Sequence, residues 1–589
     1  MNPRGKRTEL GVVLLSVCAF LPASPARGLE PEAVRSRPGA VRAEPATLHC
    51  LAVRWPVKGD VDRDATVAVQ YRKAGTAAWK KGYPLFRPHP ERMSPENRVP
   101  GGWLLCGSIV DLTPGTEYEV RLSLHDPDGG DAVRTLTMRT LSEPARPAGM
   151  RVRHVVCAPG APGGGSGTKD DPFRGLAAAE KSARPGDLFL LHKGVYLKAT
   201  WTIRNSGRAG KPILWRGDGE AILDGGGKGR CVSANGVKHV WFEGLTLRNS
   251  PYLIVAHKAS HVVIRRCVFQ ISRVGFTAIN GGYDVSRGHF VSDNVFAGPC
   301  TWPRTKGIES IQGINFTGAG HVVCYNRFRG LGDAIHGTSH GRLSATDYHN
   351  NEVSECTDDG FETDFSDTNV RVYRNRFTNC WEAISGQPAL GGPIYVFRNA
   401  ILNCDYSPFK LHNHTAGMLL LHNTCVKGGF PFHIQPATET VNDVVTRNNL
   451  FLGTRAPSLR STGRMQRCDF DADGYSVHPG PFALWNGRAY KTPEAARLSG
   501  NLYKTHGAVV VDREGCFAAA VSSPDIKVRQ PIEKNDLRLA KGSGAVDNGV
   551  PLPNFSDGFA GKAPDLGCYE LGQPLPQYGP RQSIRTRPK

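Results

Sequence analysis

His336, Glu362, Ser385, Lys410 and His433 follow one another at intervals of 26, 23, 25 and 23 residues. Two residues beyond the last four of these stand Asp364, Gln387, His412 and Gln435, and Asp333, Asp358, Asp359 and Glu382 lie shortly before them. Carboxylates, imidazoles, amides and one lysine recurring at a single place can hold a hard divalent cation through oxygen, or exchange protons as acid and base. The plainer alternative is a polar surface whose stacked opposite charges pair with one another.

Side chains this far apart in sequence meet only if the chain returns to the same place about every two dozen residues. A second series gives the same period. Asn326, Asn351, Asn375, Asn399, Asn423 and Asn449 are spaced by 25, 24, 24, 24 and 26, each after a short run of alternating apolar residues, and Asn294 and Cys267 extend the series upstream. Short β-type strands at this period, with no helical stretch between them, predict an all-β parallel solenoid in which each coil covers the edge of its neighbour. The asparagines then form an internal ladder bonding the backbone of the next coil.

Aligned on that ladder, the second strand of each coil reads Ile279-Asn280, Ile314-Asn315, Ile335-His336, Phe361-Glu362, Ile384-Ser385, Phe409-Lys410 and Phe432-His433. The recurring apolar residue faces the core, so the next residue faces out. Asn280, Asn315, His336, Glu362, Ser385, Lys410 and His433 are expected as one exposed row. Gly282, Thr317, Thr338, Asp364, Gln387, His412 and Gln435 are expected as a second. The small residues two positions earlier, including Gly313, Ala334, Gly360 and Ala383, would make a flat shelf beside them.

These coils resemble the right-handed parallel β-helix repeat proteins, a superfamily of pectate, alginate and chondroitin lyases, polygalacturonases and phage tailspikes. The likeness spans roughly 170–570, from Pro185-Gly186-Asp187 through Gly194-Val195-Tyr196 to two segments that look like a terminal coil, Ser543–Gly549 and Pro564–Glu570. The superfamily implies two chemistries. In β-elimination on an acidic, uronate-containing polysaccharide, Glu362 and Asp364, helped by Asp333 or Asp359, would hold Ca²⁺. Lys410 would be the base, its pKa lowered by a neighbouring cation, with His412 or His336 as acid or carboxylate neutraliser. Asn280, Asn315, Gln387, His433 and Gln435 would bind substrate. The Glu362-Thr363-Asp364 pair is similar to that of chondroitinase-B-like enzymes, although their lysine a few residues later in the same coil is absent. In polygalacturonase-like hydrolysis, Asp358-Asp359-Gly360-Phe361 would supply paired carboxylates with Asp333 one coil earlier. Elimination is the expected activity, hydrolysis the alternative, and a non-catalytic glycan-binding or adhesin role the third reading.

The remainder of the chain sets the context. Residues 1–28 have a basic start, an apolar stretch from Gly11 to Leu21 and small residues around Ala23–Ala26, the pattern of a secretory signal peptide, so a secreted, periplasmic or cell-surface protein without a transmembrane segment is expected. Residues 46–141 alternate in short strands and predict a small β-sandwich. Leu112–Tyr118 resembles the corner of fibronectin type III domains, which implies Tyr118 as corner tyrosine with Trp55 and Tyr71 in the core. Asp171-Pro172 reads as the start of a short helix over the open end of the solenoid, residues 150–570 as the solenoid itself and 571–589 as a basic tail. Cys356, Cys380 and Cys404, spaced by 24, predict a stacked thiol ladder. Asp469–Gly474 resembles the start of a calcium loop, but Gly480 stands at the twelfth position where a Glu is required, so it reads as a turn with weak calcium potential. No nucleotide-binding glycine motif, nucleic-acid module or zinc-type cysteine set is present. The 589 residues carry net charge +20, yet 321–435 hold 9 Lys and Arg against 11 Asp and Glu, so the surplus that attracts polyanions lies outside the coils bearing the titratable rows.

Overall fold

A computed structural model describes residues 30–581 apart from 89–92, 94, 159, 161, 197–199, 306, 435–438, 522–524 and 526. The signal-peptide reading, Gln435 and residues 582–589 of the tail lie outside the described residues.

The body is a right-handed-type parallel β-solenoid of about 12 turns. Parallel pairing runs from Arg151–Val156 to Val509–Val510. Each full coil contributes to three sheets. The first contains Val322–Cys324, Asp347–His349, Val370–Tyr373 and Leu390–Phe397. The second contains Arg327–Leu331 and the leading halves of Glu352–Glu362, Arg376–Ser385 and Ala400–Lys410, whose trailing halves join Gln312–Phe316 and Asp333–His336 in the third.

The ladder at the corner between the first two sheets is present as expected. Each Asn Oδ1 accepts from the backbone N–H and the Nδ2 of the ladder residue one coil earlier, at 2.9–3.1 Å from Asn294 through Asn449. Each Nδ2 also donates to a first-sheet carbonyl of the coil before, as Asn399 does to Val372 at 2.9 Å. The residue preceding each Asn is left-handed, from Arg374 at φ 50° to Asn448 at φ 57°, a strained turn that these bonds hold. Asp473 closes the ladder, and the turn expected over Asp469–Gly474 is confined to 471–473, between the strands Asp469–Phe470 and Gly474–Tyr475. Inside, Phe269, Phe296 and Phe328 stack at 4.5 and 4.8 Å, while Cys356, Cys380 and Cys404 are register partners and free thiols, as the spacing predicts.

Two expectations change. The helix begins at Leu176, behind Gly175 at φ 90°, because Asp171 folds a loop by accepting from Ser166 N–H. The C-terminal segment is not a regular coil. It runs back along the solenoid, with Gly567 N–H on the Asn448 carbonyl, Asn535 on Phe377 and Gly579 N–H on Asn350, and covers Leu402, Val426, Leu450 and Leu452 with Phe517, Leu539, Leu566 and Tyr578.

The N-terminal unit comprises two four-stranded antiparallel groups over one core that holds Trp55, Tyr71 and Tyr118. The Tyr118 hydroxyl accepts from Thr113 N–H at 2.9 Å. Arg37–Pro38 and Arg42–Ala43 add to its first sheet, ahead of the start expected at 46.

Candidate active site

Parallel pairing fixes which side chains meet on the third sheet. Thr277, Asn315 and His336 are successive register partners, Ile335 pairs with Phe361, and Glu362, Ser385 and Lys410 follow. The Ser407 hydroxyl donates to the His433 carbonyl at 2.5 Å, which docks the next strand. The expected row thus stands from Asn315 to Lys410, while Phe432–Ile434 pairs onward with Leu459–Ser461 in a separate sheet. Asn280 does not belong to it: Phe276 is the core residue of its strand, Thr277 is the row residue, and Asn280 lies exposed in a left-handed turn at φ 62°.

The row is not an exposed surface. Asp333, Asp358, Asp359, Glu362, Glu382, Ser385 and His433 are buried, and His336, Asp364, Lys410 and His412 are half-buried. Arg304, from the long connection after residue 298, stacks 3.5 Å from the Trp381 ring and donates to the Thr357 carbonyl, and Tyr406 stacks at 6.0 Å on the other side of Trp381. Nor do the small residues form an outer shelf. A side chain at Gly313 or Gly360 would strike the rings of Phe328 or Phe377, both core residues, and Ala334 and Ala383 lie in the same core. Upstream of Gly360 and Ala383 the strands also shift register, between Cys356 and Asp359 and between Cys380 and Glu382.

Two charge groups result. In the first, His336 Nδ1 lies 3.0 Å from Asp333 Oδ2 and 2.8 Å from Glu362 Oε2, which also accepts from Gly337 N–H at 2.7 Å. Burial pulls the imidazole's pKa down, but Asp333 and Glu362 outweigh it and raise it to about 10. Burial, with Glu362 alongside, raises Asp333 to about 6. Burial opposes the Glu362 charge as well, yet the His336 and Gly337 hydrogen bonds hold it below the usual carboxylate value. In the second group Lys410 Nζ lies 2.7 Å from Asp359 Oδ2 and 3.7 Å from Glu382 Oε2. Burial works against the ammonium, but Asp359, Glu382 and Asp358 raise its pKa above the ordinary lysine value. The closest charged neighbours of Lys410 are thus anions, which act opposite to the lowering expected from a neighbouring cation. Burial and Lys410 lower the His412 pKa to about 4, and its Nε2 has no partner among the described residues.

The four residues expected to hold calcium do not form one set. Asp333, His336 and Glu362 bring ligand atoms within 4.8 Å of one another, as do Asp333, Asp358 and Asp359, whereas Asp364 stands outside both groups. Asp364 Oδ1 accepts from Ser385 Oγ at 2.8 Å and from Gln387 N–H at 2.7 Å. Glu362 is engaged by an imidazole and Asp359 by an ammonium, so these residues do not fit a hard-cation cage.

A cavity of about 470 Å³ adjoins His336, lined among others by Arg230, Arg273, Gln312, Asn315 and His340. Gln387 and Lys410 lie on the opposite side of Glu362 in coil order. Arg230, Arg273, Arg304 and Tyr406 were not singled out by sequence. Tyr406 could have been, since it follows Trp381 by 25 residues.

No family model matches the chain. No curated protein matches it either. Among solved structures it is similar to XylC in complex with xylose, at 13% identity and TM-score 0.39 over 52% of this chain and 76% of that one. It is also similar to the PL6 family alginate lyase AlyGC, at 12% identity and TM-score 0.39 over 68% and 58%, and to the Yersinia enterocolitica family 28 exopolygalacturonase, at 11% identity and TM-score 0.31 over 74% and 96%.

Proposed function

We propose that the protein is an exported carbohydrate-active enzyme that hydrolyses an acidic polysaccharide, with Asp333 and Glu362 as its carboxyl pair. The observation that carries this is one imidazole nitrogen within 3.0 Å of both carboxyls while their proton affinities are pushed apart, Asp333 up to about 6 and Glu362 down. Two adjacent carboxyls with opposite shifts supply a proton donor and an ionised partner. Asp333 gives its proton to the leaving glycosidic oxygen, and Glu362 attacks the anomeric carbon. Water, deprotonated by Asp333, then releases the sugar. One oxygen of each carboxyl lies within 4.8 Å of the other, short of the roughly 6.5–9.5 Å that leaves room for a water in inverting glycosidases, which favours the covalent, retaining route. His336, charged, orients both carboxyls. The arginines of the adjoining cavity suit a uronate or other anionic sugar.

A second reading, elimination, is favoured by His412. A neutral imidazole with a free nitrogen beside a fixed Lys410 ammonium could remove the proton next to a uronate carboxylate that the ammonium neutralises. Product analysis on uronate and neutral polysaccharides separates the readings. New reducing ends of retained anomeric configuration support hydrolysis, and ultraviolet-absorbing unsaturated uronates support elimination. Binding with neither product, or full activity in Asp333→Asn and Glu362→Gln, overturns the carboxyl assignment.

A further inference from the structure

Five aspartates gather at one end of the N-terminal unit, far in sequence from the solenoid cluster. Asp60, Asp62 and Asp64 alternate through the loop between Leu51–Lys58 and Thr66–Lys73, and Asp126 and Asp128 lie in the loop after Glu117–His125. Asp60 is already engaged: Oδ2 binds the Arg87 guanidinium and Oδ1 accepts from Ala65 N–H at 3.1 Å. The others are not. Asp126 is only 2% exposed, its Oδ1 accepts from Asp128 N–H at 2.8 Å, and its Oδ2 has no hydrogen-bond partner among the described residues. Asp62 Oδ1 is likewise buried and unpartnered, and the Asp62 and Asp128 side chains lie within hydrogen-bond reach of each other. Leaving a buried carboxylate oxygen without a donor is unfavourable by itself, and packing like charges against it adds to that cost.

We propose that Asp62, Asp64, Asp126 and Asp128 form a calcium site joining the two loops. Asp64, Asp126 and Asp128 bring ligand oxygens within 4.8 Å of one another, and Asp64 belongs equally to a triad with Asp60 and Asp62. Two oxygens on opposite sides of one Ca²⁺ stand about 4.6–5.2 Å apart, given Ca–O distances of about 2.3–2.6 Å. The donor set is all oxygen, which disfavours zinc and other metals that seek nitrogen or sulfur. Asp64 and Asp128 are exposed and Asp62 is half-buried, so an ion and its remaining waters can enter from solvent. The site also gathers the start of the described chain. Ser36 N–H donates to the Gly129 carbonyl at 3.1 Å and Asp60 N–H to the Val34 carbonyl at 3.0 Å, so a cation on these loops pins the 30–38 segment to the same end.

The test uses full-length protein freed of metal by chelation. Calorimetric titration with calcium chloride is expected to show a site that Asp64→Asn/Asp126→Asn weakens at least tenfold and that Asp333→Asn, in the solenoid cluster, leaves unchanged. Absence of calcium binding in the parent protein, or equal binding in the double variant, overturns the proposal. If the double variant does not fold, terbium decides the matter. The Trp103 indole donates to the Asp60 carbonyl at 2.7 Å, so tryptophan excitation should drive terbium emission that calcium quenches and that Trp103→Phe removes in large part. Undiminished emission in Trp103→Phe places the ion elsewhere and sinks the idea.

Discussion

At the scale of single residues, function turns on which carboxyl keeps its proton. If Asp333 is the acid, kcat/KM falls as pH rises through about 6, because the donor is then ionised. Asp333→Asn should lower kcat by about 10²–10⁴ and abolish that alkaline limb, whereas Glu362→Gln should lower kcat comparably and keep the limb but move it to lower pH, because the Glu362 charge helps raise the Asp333 pKa. A pH profile of both variants checks the assignment, and a limb that survives Asp333→Asn refutes it. His336 gives a separate stability signal. Its folded pKa is raised to about 10, so its contribution is complete below the unfolded value near 6.5 and is lost as pH climbs toward 10. Thermal unfolding of the parent should therefore weaken between neutrality and about pH 10, and His336→Asn should flatten that part of the curve. An unchanged slope in the variant counts against a charged imidazole between the two carboxyls.

At the scale of elements, what was legible in the sequence follows from what repeats. The ladder asparagines hold an almost constant period because each must reach the coil before it, and a missing side chain leaves that coil's backbone unpaired. Asn399→Ala strands the Asn375 N–H and the Val372 carbonyl, both buried. At about 1–3 kcal/mol for each such group, chemical denaturation should show a loss of about 3 kcal/mol or more, and a loss under about 1 kcal/mol would make the ladder ornamental. The third sheet was legible in its order but not in its facing. His336, Glu362 and Lys410 could be placed one above another because the core apolar residue before each recurs. Asn280 was misplaced because its neighbour Ile279 resembles a core residue that Phe276 in fact supplies. The shelf failed because glycine and alanine carry no apolar/polar signal that assigns them to a face, and Gly313 and Gly360 abut the core rings of Phe328 and Phe377. Part of the covering beside the row was invisible for another reason: Arg304 reaches Trp381 and the Thr357 carbonyl from a connection outside the repeat, so no alignment of coils includes it.

At the scale of the whole molecule, the N-terminal unit is part of the solenoid's own packing, not a bead on a linker. Arg374 binds Asp111 through two bonds of 2.6 and 2.8 Å, the Tyr395 hydroxyl accepts from Ser108 N–H at 3.1 Å, and Asn554 brackets Val110 from the returning C-terminal segment. At the centre of this junction Arg371 and Asp347 are fully buried side by side at 2.5 Å. Thr47 donates to Asp347 Oδ2 at 2.6 Å, and Arg371 reaches Ser108 Oγ at 3.3 Å. Removing one member of such a pair leaves the other charged in a medium that solvates it poorly, at a cost of about 3–5 kcal/mol, while replacing both with apolar groups of similar volume is often neutral. Asp347→Leu alone should therefore destabilise the protein strongly, and Asp347→Leu/Arg371→Met should recover most of the loss. Because the pair's partners sit on both units, the single variant should lower one shared unfolding transition in calorimetry. Two transitions, with only the solenoid's shifted, would mean that the units fold independently and that the junction does not couple them.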